Sequence, residues 1–134
     1  RCHVSVDISK RERVKKFEVK EIRPLYPDFL PFSLTVMAPE EMAAEKIRAI
    51  LARNYARDLY DLWFLLGKGT RFDLGLANEK LSYYGKNFNE KEFMQKIREK
   101  EAIWAAELKP LVIGSLPAFK EAEKTVLAAL KEQK

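Results

Sequence analysis

Hydrophobic positions alternate with polar ones at the start of the chain. Cys2, Val4, Val6 and Ile8 point one way, and His3, Ser5 and Asp7 point the other. This period of two predicts a strand over 2–8. After a basic run the alternation resumes at Phe17 and Val19, predicting a second strand over 16–22. The two strands read as a hairpin across the basic run. Pro24, Pro27 and Pro31 mark a loop that carries Tyr26 and Phe29. Phe32, Leu34 and Val36 then alternate with Ser33 and Thr35, predicting a third strand.

From residue 39 the period lengthens to 3.6. Pro39 suits a first helical turn, and Glu40 and Glu41 suit its positive end. A helix is predicted over 39–53. A second, over 55–66, is apolar nearly all round and stops at Gly67 and Gly69. A short helix over 76–84 ends by Gly85. Asn89 and Glu92 have capping-box spacing for a long helix over 90–108, closed by Pro110. Pro117 opens a last amphipathic helix. Strands first and helices after make an α+β fold: a small sheet portion at the N-terminus, then five helices. The expected division is a strand-rich part over 1–38 and a helical region over 39–134. So few strands look like the edge of a larger sheet, which favours a fragment. Tyr83, Tyr84, Trp63 and Trp104 sit at helical spacing and read as core.

Composition narrows the function classes. The chain has 134 residues, 47% hydrophobic and 34% charged. That length suits one domain or part of a larger one, and that apolar share argues against disorder. No apolar run is long enough to span a membrane, and the start lacks the apolar stretch of a signal peptide. Cys2 is the only cysteine and His3 the only histidine. A disulfide framework, a cysteine zinc site and a Cys-His-Asp triad are thereby excluded, and a cytoplasmic address is expected. The net charge of +5 is spread along the chain. Lys10, Arg11, Arg13, Lys15 and Lys16 form one local run. It reads either as a phosphate-contacting loop or as a solvated hairpin tip.

Helix spacing puts Met42, Lys46 and Ile50 on one stripe, so a lysine lies on an apolar face. It must snorkel outward or meet an acid. The next helix carries Asp58 and Asp61 three residues apart, with Arg57 beside them and Arg53 just upstream. Charges in such a helix must be paired. One reading is a salt-bridge cluster that fixes the angle between the two helices. The other is a cluster facing a polyphosphate and its Mg²⁺. Asp7, at the end of a strand, reads as a metal ligand for phosphoryl transfer or as an ordinary exposed acid. No phosphate-cradling glycine loop and no Asp-x-Asp pair occurs.

The stretch AEKIRAILARNYARDLYDLW, residues 44–63, resembles the "AEK…AL…R…RDxYDL" segment of the AbiEii-type nucleotidyltransferase toxin family. The "VSVDIS" strand, the proline-rich loop, the "APEEMAAEKIRAI" lead-in and the helical tail fit the family order, so the likeness covers most of the chain. The resemblance implies a fold like the C-terminal part of a nucleotidyltransferase. It implies transfer of a nucleotidyl group from an NTP to an acceptor such as RNA, Mg²⁺ as cofactor, and a toxin–antitoxin system with a cognate antitoxin. By position, Lys46, Asp61 and Asp58 would be catalytic, Lys46, Arg53 and Arg57 would meet the nucleotide, and Asp7 would be a metal ligand. The family's Gly-Ser and Asp-x-Asp motif is not among these residues, so activity is expected once that motif completes the site. The competing expectation is a non-catalytic helical module that docks an antitoxin or RNA.

Overall fold

The computed structural model describes residues 3–6, 8 and 13–133. Two strands come first, β1 (Phe17–Ile22) and β2 (Phe32–Met37). They pair antiparallel, with Phe17 opposite Met37 and Ile22 opposite Phe32, across the proline-rich loop. This corrects the expected hairpin. The described residues of the first predicted strand are irregular, and Val4, Val6 and Ile8 are exposed. Among the described residues the alternation there has no ladder partner, and a strand without a partner does not hold. Arg13, Lys15 and Lys16 of the basic run do not form a hairpin tip either. Lys15 Nζ lies 2.7 Å from Glu79, and Lys16 Nζ 2.9 Å from Asp73. Lys10 and Arg11 lie outside the described residues.

Among the described residues six helices follow: α1 (Pro39–Ala52), α2 (Ala56–Gly67), α3 (Leu74–Ser82), α4 (Glu90–Glu99), α5 (Glu101–Leu108) and α6 (Phe119–Lys131). The fold is α+β as expected, with one helix more. The long helix predicted over 90–108 breaks at Lys100. The Lys100 amide bonds back to Ile97, and its carbonyl accepts from Ile103, three residues away in each direction. That tight turn lets α4 pack on α1 and α5 on α2. No side chain in the run marks the break, since every residue there is an acceptable helix former.

Helix α1 touches α2, α3 and α4, and α6 covers α2. The core gathers Ile47, Ile50, Leu59, Leu62, Phe93 and Trp104 among others. Trp104 donates to the Pro117 carbonyl at 2.9 Å, which ties the last loop to the core. Tyr83 and Tyr84 stand half exposed rather than in the core. Helix α2 is less enclosed than its composition suggests: Phe64 is exposed, and Asp58 is buried instead. Asn89 caps α4 by accepting from the Glu92 amide at 3.0 Å, as its spacing predicted. Gly69, at φ 85°, ends α2 with its own amide on Leu66 and that of Thr70 on Leu65. That paired closure needs the left-handed residue glycine supplies.

Candidate functional site

Helices α1 and α2 meet at a sharp turn, Arg53 to Tyr55, and the turn brings the charged residues together. Lys46 leaves α1 on the face toward α2, and Asp58 and Asp61 come from the first two turns of α2. Lys46 Nζ lies 2.6 Å from Asp61 Oδ2 and 3.5 Å from Asp58 Oδ1. Arg53 grips Asp58 with two hydrogen bonds, Nε to Oδ2 at 2.8 Å and an η-nitrogen to Oδ1 at 2.9 Å. The Asp58 side chain is fully buried, whereas Lys46 and Asp61 are partly open to solvent. Burial alone would raise the Asp58 carboxyl. The hydrogen bonds and charge of Arg53, with the charge of Lys46, outweigh burial and hold it below the ordinary carboxylate range. The same contact raises the Arg53 guanidinium further.

The two predicted arginines thus part company. Arg53 is committed to Asp58, while the exposed Arg57 stands over the Tyr55 ring at 4.8 Å. The Arg53 guanidinium also lies 5.3 Å from that ring, so two cations stand within cation–π range of Tyr55. Arg57 and Asp61 border a shallow cleft with Tyr60, Leu111 and Ile113.

Lys46 and Asp61 form one wall of an open cleft of about 370 Å³. Its other walls are Met37 from β2, Met42 and Glu45 from α1, and Phe64 and Leu65 from α2. It is therefore an apolar hollow with an ammonium group at its side. A larger cleft, about 660 Å³, lies between α6 and the loop after α2. It contains none of the predicted site residues, so chemistry rather than size picks out the smaller one.

Among the described residues, no group of three His, Cys, Asp or Glu side chains could hold a metal. Asp58 and Asp61 turn toward cations. Asp7, the expected metal ligand, lies outside the described residues. No helix among those residues is long and apolar enough to cross a membrane.

Three supporting groups escaped the sequence reading. Glu107 of α5 accepts from the Ala56 amide at 2.8 Å and so caps α2, whose own N-cap residue, Tyr55, offers no side-chain bond. Lys100, fully buried, points at the end of α1, with Nζ 3.2 Å from the Arg53 carbonyl and 3.5 Å from that of Ile50. It caps α1 and steadies the residue that holds Asp58; desolvation lowers its ammonium. Lys80 of α3 reaches Glu45 at the cleft rim, 3.2 Å away. A signal for both lysines was present. Lys80 keeps helical spacing with Leu76 and Ala77, and Lys100 with Phe93, Ile97 and Trp104.

The family model described as "Nucleotidyl transferase AbiEii toxin, Type IV TA system" matches residues 1–129. No curated protein and no solved structure matches the chain. The match spans nearly the whole sequence, and the chain belongs to that family of nucleotidyl transferase toxins of type IV toxin–antitoxin systems.

Proposed function

We propose that this member of the AbiEii toxin family supplies the triphosphate-facing side of a nucleotidyl transfer site, with Lys46 as the group that meets the NTP. The observation that carries the reading is Lys46 itself. It is a partly open ammonium at the wall of an apolar cleft, held in place by Asp61 at 2.6 Å. An ammonium so fixed serves as a point charge on a phosphate without first having to be ordered.

In the proposed reaction an acceptor hydroxyl attacks the α-phosphorus of the NTP. A new O–P bond forms, the bond from the α-phosphorus to the oxygen bridging toward the β-phosphate breaks, and diphosphate leaves. The hydroxyl proton passes to solvent. Lys46 neutralises charge on the departing diphosphate, where charge develops. Asp61 orients Lys46. Asp58 acts at one remove, by holding Arg53 and the α1–α2 turn. The acceptor is RNA: the exposed Tyr55 ring offers a surface for a base and the neighbouring Arg57 a cation for a phosphate. A cognate antitoxin is its counterpart in the system.

A second reading is a module that docks an antitoxin or RNA without catalysis. The exposed apolar side chains of the hairpin, Phe17, Val19, Phe32 and Leu34, favour it. The test is label transfer from α-labelled NTP to RNA, with Mg²⁺ in the buffer, by the complete gene product. The enzyme reading expects transfer that Lys46→Ala abolishes while the far-ultraviolet spectrum stays unchanged. Transfer at the wild-type rate in Lys46→Ala overturns the assigned site. RNA binding with no transfer by the wild type gives the lead to the module.

A further inference from the structure

The hairpin is joined to the helices almost without apolar packing. Phe17, Val19, Phe32 and Leu34 remain exposed, and the hairpin's contacts are chiefly between its own strands. What attaches it is a polar joint. Glu41, in the first turn of α1, is fully buried. Its carboxylate accepts from the Lys15 amide at 3.1 and 3.2 Å and from the Lys16 amide at 2.8 Å, just before β1. Lys80, also buried, comes from α3 and donates to Glu41. The same ammonium donates to the Arg13 carbonyl at 3.1 Å and pairs with Glu45 at 3.2 Å. On the far side, the Ala38 amide closes on the Lys16 carbonyl at 2.9 Å. One buried anion and one buried cation thus hold three backbone groups of the segment leading into β1.

We infer that Glu41 and Lys80 are positioning residues that lock the β1–β2 hairpin onto helix α1 and thereby shape the cleft beside Lys46. The route is short. The hairpin carries Met37, one wall of the cleft, and Lys80 bears directly on Glu45, another. Releasing the joint frees one wall relative to the other but leaves the Lys46–Asp61 pair, which belongs wholly to α1 and α2. The backbone donors that Glu41 satisfies would lose an ordered acceptor, and a buried charge would lose its partner. The inference rests on the reading of that cleft as the NTP site.

The experiment compares wild type, Lys80→Met, Glu41→Gln and Lys80→Arg by amide hydrogen exchange, and measures NTP kinetics on the complete gene product. Lys80→Met should speed exchange at Lys15, Lys16 and Phe17–Ile22 by about tenfold or more, while the amides of Leu59 and Leu62 in α2 keep their protection. NTP KM should rise about tenfold with a smaller change in kcat, because Lys46 and Asp61 stay in place. Glu41→Gln, a gentler change, should move both readouts the same way, and Lys80→Arg should restore part of each. Wild-type hairpin exchange in Lys80→Met overturns the joint. So does equal loss of protection in α2, which would make Lys80 a general stabiliser. If the wild type transfers no nucleotide, the reading of the cleft fails, and the exchange data still decide the joint.

Discussion

Replacing Arg53 by Met should destabilise the protein far more than replacing Arg57 by Met, although both arginines flank the α1–α2 turn. Arg53 makes two short bonds to Asp58, whose side chain is wholly buried. Without Arg53, Asp58 keeps its ion pair with Lys46 at 3.5 Å. Breaking a buried ion pair from one side costs roughly 3–5 kcal/mol, since the remaining charge stays desolvated. Two features pull the cost toward the lower end. The Arg53 side chain is 46% exposed, so water already screens its half of the attraction. Lys46 also remains as a second cation beside Asp58. The expected loss is therefore about 3 kcal/mol. Arg57 is exposed and stands over Tyr55, a cation–π contact of about 0.5–1 kcal/mol. For a domain of this size each kcal/mol moves the melting temperature by roughly 3–4 °C. Thermal unfolding should thus separate the variants, near 10 °C for Arg53→Met and about 3 °C for Arg57→Met. Urea titrations should show the same order with unchanged m-values. Equal and small losses in both variants would refute the claim that Asp58 depends on Arg53.

Two further outcomes follow from the same contacts. Asp58 and Glu41 both have carboxyls held below their ordinary range, because cations and, for Glu41, backbone amides outweigh the effect of burial. Their unfolded values lie near 3.9 and 4.3, so their contributions are full above that range and are lost as pH falls through the lower folded values. Unfolding free energy measured against pH should fall below about pH 4, with a shallower fall in Asp58→Asn; an unaltered acid limb in that variant would contradict the assignment. Glu107→Ala should cost about 1–2 kcal/mol in thermal unfolding, because it removes the cap of α2 and leaves the buried Ala56 amide without this acceptor. No change in melting temperature would show that α2 needs no such cap.

Most of the helices were legible in the sequence because each carries its own period, and some carry a stop or a cap. Asn89, Gly69 and Gly85 did locally what their types allow. Strand pairing was not legible, because alternation shows that a segment can form a strand and not which neighbour completes the ladder. Val4, Val6 and Ile8 alternate as cleanly as Phe32, Leu34 and Val36, yet only the latter three have a partner strand. The split at Lys100 was hidden for a related reason. It answers to packing, which turns α4 from α1 to α5 on α2, and not to any helix-breaking residue.

For the site, one sequence signal found Lys46 and would have found more. A lysine on an apolar helical face must reach a partner, and the argument applied to Lys46 applies equally to Lys80 and Lys100. Their partners, Glu41 and the carbonyls at the end of α1, come from 39 and about 50 residues away, so the partner was out of reach even where the lysine was not. The cluster of Lys46, Asp58 and Asp61 formed as the spacing implied. The separation of Arg53 from Arg57 required the direction of the turn between the helices.

The most direct measurement is NTP binding by calorimetric titration of wild type, Lys46→Met and Arg57→Met, with Mg²⁺ present. Saturable binding by wild type, weakened about tenfold or more in Lys46→Met with the melting temperature little changed, is the expected result. Equal affinity in wild type and Lys46→Met would contradict the assignment of the cleft between α1 and α2 as the triphosphate site.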